Sequence, residues 1–173
     1  AVRELYPEHK FYIRHSMLRG FYCEIEGRDG ISAREAEAIR TRMEELVDAA
    51  IPIIRSRVRS IDAAMEFTRL GFDDKTELLN TRPRLYSTLY SLGDMKGYFY
   101  GALAPSTDYI RLFDIRPYYN GFYVVLPGRS HPDALKPLVA QDKLFDIFHQ
   151  YKEWVDIMGV PTVGRLNAKV LAG

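Results

Sequence analysis

The stretch Asp108 to Leu126, DYIRLFDIRPYYNGFYVVL, decides the fold. Its two runs of β-branched and aromatic residues meet at Asn120-Gly121, and Asn-Gly between such runs is a strong hairpin signal because both residues tolerate positive φ. The pattern predicts one strand through DYIRLFDIRPYY and a second through FYVVLP. Upstream, RLYSTLYSL (Arg84 to Leu92), a turn at Gly93-Asp94 and KGYFYGALA (Lys96 to Ala104) have the same texture. The middle of the chain is therefore expected to be an antiparallel sheet.

Further upstream, KFYIRH (Lys10 to His15) and GFYCEIE (Gly20 to Glu26) read as two paired strands. Ser32 and Glu35 make a Ser-x-x-Glu capping box, and Ile39, Met43, Leu46, Val47 and Ala50 then recur at helical spacing. The charges on that helix mix both signs, which marks a solvated face rather than a binding stripe. Ile51 to Val58 (IPIIRSRV) reads as an edge strand because Pro52 cannot donate to a ladder. Ser60 is expected to cap a helix ending near Gly71, and a short helix follows from Asp73 to Asn80. Beyond Pro127-Gly128, Leu144, Phe148, Tyr151, Val155 and Met158 lie along one helical face, Gly159 and Pro161 stop it, and Val163 to Leu171 follows a Thr162 cap. The class is α+β, an antiparallel sheet with flanking helices and a C-terminal helical linker.

The 173 residues, 47% of them apolar, suffice for one domain with a real core. A formal charge of +1, from 24 Lys and Arg against 23 Asp and Glu, excludes a long-range field, so any polyanionic partner must be met by a local patch. One cysteine, Cys23, forbids an internal disulfide, and no apolar run approaches the ~18 residues of a membrane span. A cytoplasmic location without membrane association is expected. AVRELY at the start reads as the last turns of an amphipathic helix stopped by Pro7, so the chain is expected to be a piece of a longer protein.

Chemistry is sparse. No Gly-Lys-Ser or Gly-Lys-Thr is present to hold nucleotide phosphates. His9, His15, His131 and His149 lack the short spacings of a local zinc motif, and no Cys-x-x-Cys occurs, so no metal or catalytic residue is assigned. His15 and Cys23 sit on the two strands of the first hairpin, which raises a Cys/His nucleophile against the alternative of a small buried thiol. Asp73-Asp74 is at a helix start, where carboxylates complement the helix dipole. Arg84, Tyr86, Tyr98, Tyr100, Arg111, Arg116, Tyr118 and Tyr119 mix rings with cations and either stack bases or fill the core.

Taken in order, GFYCEIE, SAREAEAIRTRMEELV, IPIIRSRV, SIDAAMEFTRLG and APSTDYIRLFDIRPYYNGFY resemble the editing-type domain of threonyl-tRNA synthetases, which is shared with the alanyl enzymes. The resemblance covers residues 1 to 126 and includes Pro105-Ser106-Thr107, and residues 1–128 are taken as the synthetase-like domain. It implies a metal or editing site built from a His pair on the first helix, which would fall just upstream of Ala1, and from a Cys and, four residues on, a His just before Pro-Ser-Thr; here those last two positions look like Phe99 and Leu103, which offer no metal ligand and no proton acceptor.

Residues 129–173, with SHPDALKPLVAQDKLFDIFHQYKEWVDIMGVPTVGRLN, resemble the linker of bacterial uridine-kinase-like proteins of the phosphoribulokinase/uridine kinase family. That resemblance implies a noncatalytic accessory or regulatory domain before a kinase domain absent from this chain. ATP and Mg²⁺ are implied only for that kinase, with no cofactor here, and the implied partners are the downstream kinase domain and a second copy. The alternative is an RNA- or tRNA-binding module or a degenerate aminoacyl-tRNA deacylase, with Tyr100, Arg111 and Arg116 as the contact surface.

Overall fold

Short strands of alternating aromatics and helices with clear start signals fix most of the architecture locally. In chain order the elements are α1 (Val2–Leu5), β1 (Phe11–Met17), β2 (Gly20–Ile25), α2 (Ala33–Asp48), β3 (Ile53–Arg59), α3 (Ser60–Arg69), α4 (Asp73–Asn80), β4 (Tyr86–Leu92) and β5 (Met95–Tyr98). A 3-10 turn (Thr107–Tyr109), β6 (Asp114–Tyr118), β7 (Gly121–Val125), α5 (Asp142–Ile157) and α6 (Val163–Ala172) complete it. The computed structural model describes residues 1–17, 20–135, 137, 139 and 141–172; Lys136, Leu138 and Ala140 of the SHPDALKPLVAQDK stretch lie outside the described residues. The chain is α+β with antiparallel strands, but the strands form two sheets, ordered β1-β2-β7-β6 and β3-β4-β5, rather than one. It packs as two compact units, residues 1–51 with 106–140 and residues 52–105 with 141–173, cuts that differ from a division after residue 128.

In the first unit, Ser32 N–H donates to Glu35 Oε2 at 2.8 Å and Glu35 N–H to Ser32 Oγ at 3.2 Å, the reciprocal box that starts α2. These bonds from Ser32, aided by Arg28, hold the Glu35 carboxyl at about 2. The helix buries Ala36 and Ile39 with Cys23, Ile25, Ile115 and Phe122 of the sheet. β6 is an edge strand, which is where Pro117 is tolerated.

Two sequence expectations change here. The strand expected from Asp108 is limited to Asp114–Tyr118, because Ile110 N–H donates to Thr107 C=O at 3.0 Å and closes a 3-10 turn first. The hairpin turns on Tyr119-Asn120, with Tyr118 paired to Gly121 and Tyr119 at φ 47°. Gly121 is required for space: a Cβ there would lie 2.2 Å from Cys23 O and 2.9 Å from Tyr22 Oη, the hydroxyl that donates to Asn120 Oδ1 at 2.5 Å.

Buried Thr107 closes the other end of α2. Its hydroxyl donates to Leu46 O at 2.6 Å and accepts from Ile51 N–H at 2.9 Å, while its own N–H donates to Ile51 O at 3.0 Å.

In the second unit, α3 and α4 cover one face of β3-β4-β5 through Ala63, Ala64, Phe67, Leu79 and Leu89. Arg59, not Ser60, occupies the cap position of α3; Ser60 is the first helical residue, and its hydroxyl is engaged by Ser87 Oγ at 2.8 Å. The far end is a Schellman motif at Gly71 (φ 73°), with Phe72 N–H donating to Phe67 O at 2.9 Å and Gly71 N–H to Thr68 O at 3.1 Å. Thr162 Oγ accepts from Arg165 N–H at 3.2 Å and starts α6, which lies against α4 so closely that a Cβ on Gly164 would stand 2.7 Å from Leu78 N.

Thr107→Val keeps the shape but strands the Ile51 N–H and the Leu46 carbonyl, and is expected to cost about 1–3 kcal/mol. A lower urea midpoint at unchanged slope is the expected reading. Because Glu35 is depressed on folding, its contribution is fully present above the ordinary value of 4.5 and is lost as pH falls towards about 2. Glu35→Gln should flatten the loss of stability across that window in acid titration followed by circular dichroism.

Candidate nucleic-acid interface

Period-2 alternation places Arg55, Arg57 and Arg59 on one face of β3, while Val58 turns to the helices and packs against the core cluster. β3 is an edge strand, and its register sets Arg55 opposite Tyr90, Arg57 opposite Thr88 and Arg59 opposite Tyr86. The result is a row of cations beside a row of hydroxyl and phenol side chains on the face away from α3 and α4. The Arg57 guanidinium stands 4.7 Å from the centre of the Tyr86 ring, which is 51% exposed. Tyr90 is buried: Phe99 meets it edge-on at 6.0 Å, and its hydroxyl donates to Gly101 O at 3.0 Å. Arg59 is held by Asp62 through two bonds of 2.7 and 2.8 Å. Among the described residues neither Arg55 nor Arg57 has a carboxylate partner, and both are exposed.

Of the residues singled out from sequence, Tyr86 lies on this face, whereas the contact residues Tyr100, Arg111 and Arg116 lie elsewhere. Tyr100 is 79% exposed, with the Arg82 guanidinium 5.2 Å from its ring and 5.5 Å from that of Tyr98. Phe99 and Leu103 are both partly open to solvent. All of these belong to the second unit. Arg111 and Arg116 belong to the first, where Arg111 is exposed and Arg116 Nε donates to Asp114 Oδ2 at 2.7 Å. The three proposed contact residues are thus divided between two units. The arginine row was missed, although its signal, R-S-R-V-R at period 2 in a strand already assigned to an edge, is plain in the sequence.

The Cys/His nucleophile is not formed. A bulge in β1 between Ile13 and His15 sets His15 opposite Tyr22 and Cys23 opposite Ile13. Cys23 is wholly buried in the core, and burial pushes its thiol up to about 12, so it holds its proton at neutral pH. Burial also lowers the His15 imidazole. Among the described residues no helix is long and apolar enough to cross a membrane.

No protein-family model matches the chain. Curated proteins do. The chain is similar to threonine–tRNA ligases. It is 32% identical over 115 residues to that of Geobacter sp. (strain M21), a match covering 66% of this chain and 18% of the relative. It is 32% identical over 117 residues to that of Acidithiobacillus ferrooxidans (strain ATCC 53993 / BNL-5-31), covering 67% and 18%, and 29% identical over 116 residues to threonine–tRNA ligase 1 of Bacillus subtilis (strain 168), covering 66% and 18%. The matched region spans 18% of the length of these relatives. The synthetase-like part of the sequence resemblance is supported, whereas these relatives give the uridine-kinase parent no support.

A buried, protonated thiol should resist alkylation. Iodoacetamide at mildly alkaline pH is expected to leave Cys23 unmodified in the native chain and to label it completely in guanidinium, with intact-mass spectrometry as the readout.

Proposed function

We propose that this chain is a tRNA-handling accessory module that binds RNA and cleaves no bond. The observation that carries the reading is the pair Phe99 and Leu103 at the positions where the synthetase resemblance implies a thiol and an imidazole. Phe99 meets the Tyr90 ring edge-on, and neither side chain has a lone pair for a metal or a site for a proton. The names of the relatives, threonine–tRNA ligases, supply the class of partner. An accessory, noncatalytic role is common to this reading and to the kinase-associated one; the relatives favour the tRNA side. The downstream kinase domain with its ATP and Mg²⁺ belongs to the uridine-kinase reading, which these relatives do not support.

The net charge of +1 sets the expected strength: phosphate neutralisation supplies most nonspecific RNA binding, so affinity rests on a local patch and falls steeply with salt. The test is a mobility shift of unfractionated tRNA at low salt beside release of amino acid from aminoacyl-tRNA. A shift that disappears as salt is raised, with ester hydrolysis at the buffer rate, is the expected result. Hydrolysis that scales with protein concentration overturns the noncatalytic reading, and absence of any shift at low salt overturns the RNA-binding one.

A further inference from the structure

We infer that the exposed face of the second unit's sheet, built from Arg55, Arg57 and Tyr86, is a seat for an extended single strand of RNA, with the two guanidinium groups on successive phosphates and the Tyr86 ring under a base. The inference rests on the tRNA-handling reading and specifies its surface. Alternate residues on a strand lie roughly 6.6 Å apart, so Arg55 and Arg57 present forked donors at a regular step suited to the repeating phosphates of an unpaired strand. Ile53 to Arg59 pairs without interruption to Leu92 to Tyr86, so the row is backed by an unbroken ladder. The face is rigid because its reverse side is the packed core of α3 and α4.

Three features separate this face from ordinary surface charge. Among the described residues Arg55 and Arg57 lack the carboxylates that occupy Arg40, Arg42, Arg59 and Arg69. Their neighbours across the ladder are aromatic or hydroxyl-bearing rather than acidic. Tyr86 is half open and already holds Arg57 over its ring, so one of its faces is stacked and the ring is fixed as a platform. Base stacking on such a ring tolerates any base, and the expected recognition is of strand form rather than sequence.

The experiment uses the whole chain and a fluorescent single-stranded RNA of about 12 nucleotides, the scale of such binding grooves, titrated by anisotropy at several salt concentrations. Arg55→Glu with Arg57→Glu should weaken binding at least about tenfold at low salt and reduce the slope of log K against log salt by about 1.4, the value for two phosphates on a single strand. Arg55→Lys with Arg57→Lys should retain the slope, which separates lost charge from lost structure, and Tyr86→Ala should weaken binding roughly fivefold or more with the slope unchanged. Wild-type affinity and slope in the glutamate variant overturn the assignment of the face. If that variant still shifts tRNA as the unaltered chain does, the face is wrong and the tRNA reading stands. If the unaltered chain binds neither RNA at low salt, both fall. A poly-glutamate peptide that displaces the RNA as effectively, charge for charge, as unlabelled RNA also overturns it, in favour of an acidic protein partner.

Discussion

One hydroxyl closes the first unit at the point where the chain leaves it and comes back. Residues 52 to 105 leave the first unit after Ile51 and return at Ser106, and the side chain and amide of Thr107 tie the return to Ile51 and to the last turn of α2. One step further along, Ile53 N–H donates to Pro105 O at 2.7 Å, so the outgoing and incoming strands remain paired where the second unit begins. Closing so long a loop is entropically unfavourable, and the bonds made by buried Thr107 offset part of that penalty. The Pro-Ser-Thr stretch that drew attention as a sequence motif is in this respect a structural fastening, with Thr107 its buried member.

The second unit shows how a one-sided sheet divides its chemistry. Its inner face is committed to Leu89, Val58 and Tyr98 against α3 and α4, while the outer face buries Tyr90 under Phe99 and leaves Arg55, Arg57 and Tyr86 exposed. Arginines on an edge strand also prevent strand addition between chains, which is a sufficient reason for charge at β3 whatever it binds. That reason does not require the cations to lie opposite Tyr86, Thr88 and Tyr90, nor Arg57 to stack on a ring. Phe99 belongs to the same economy of contacts: its ring meets that of buried Tyr90 edge-on.

Much of this was legible in the sequence because it is local. The Ser32–Glu35 box, Gly71 after α3, Asp73 at the start of α4 and Thr162 before α6 each act within one turn of helix, and each element stands where its signal lies. What escaped depends on distant partners. Gly121 reads as a turn residue but is demanded by Cys23 and Tyr22 on another strand, and Ser60 reads as a cap but is taken by Ser87. The run from Asp108 looks like a strand until Thr107 is bonded to α2 and shortens it. The division into two sheets and the arginine row have the same origin: facing residues are known only once register is known, and Arg55 gains its aromatic neighbours from a strand some thirty residues away.

The pairing of Cys23 with Phe122 in the first sheet also orders events on the ribosome. β1 and β2 emerge early, but the strand that completes β2's hydrogen bonding is separated from it by the entire excursion. At 5–20 residues per second, β2 presents an unpaired edge for on the order of ten seconds while β3, β4, α3 and α4 are synthesised and can fold ahead of it. The part of the chain made in the middle is thus positioned to mature before the part that was begun first, and the nascent hairpin is the segment most in need of shielding during that interval.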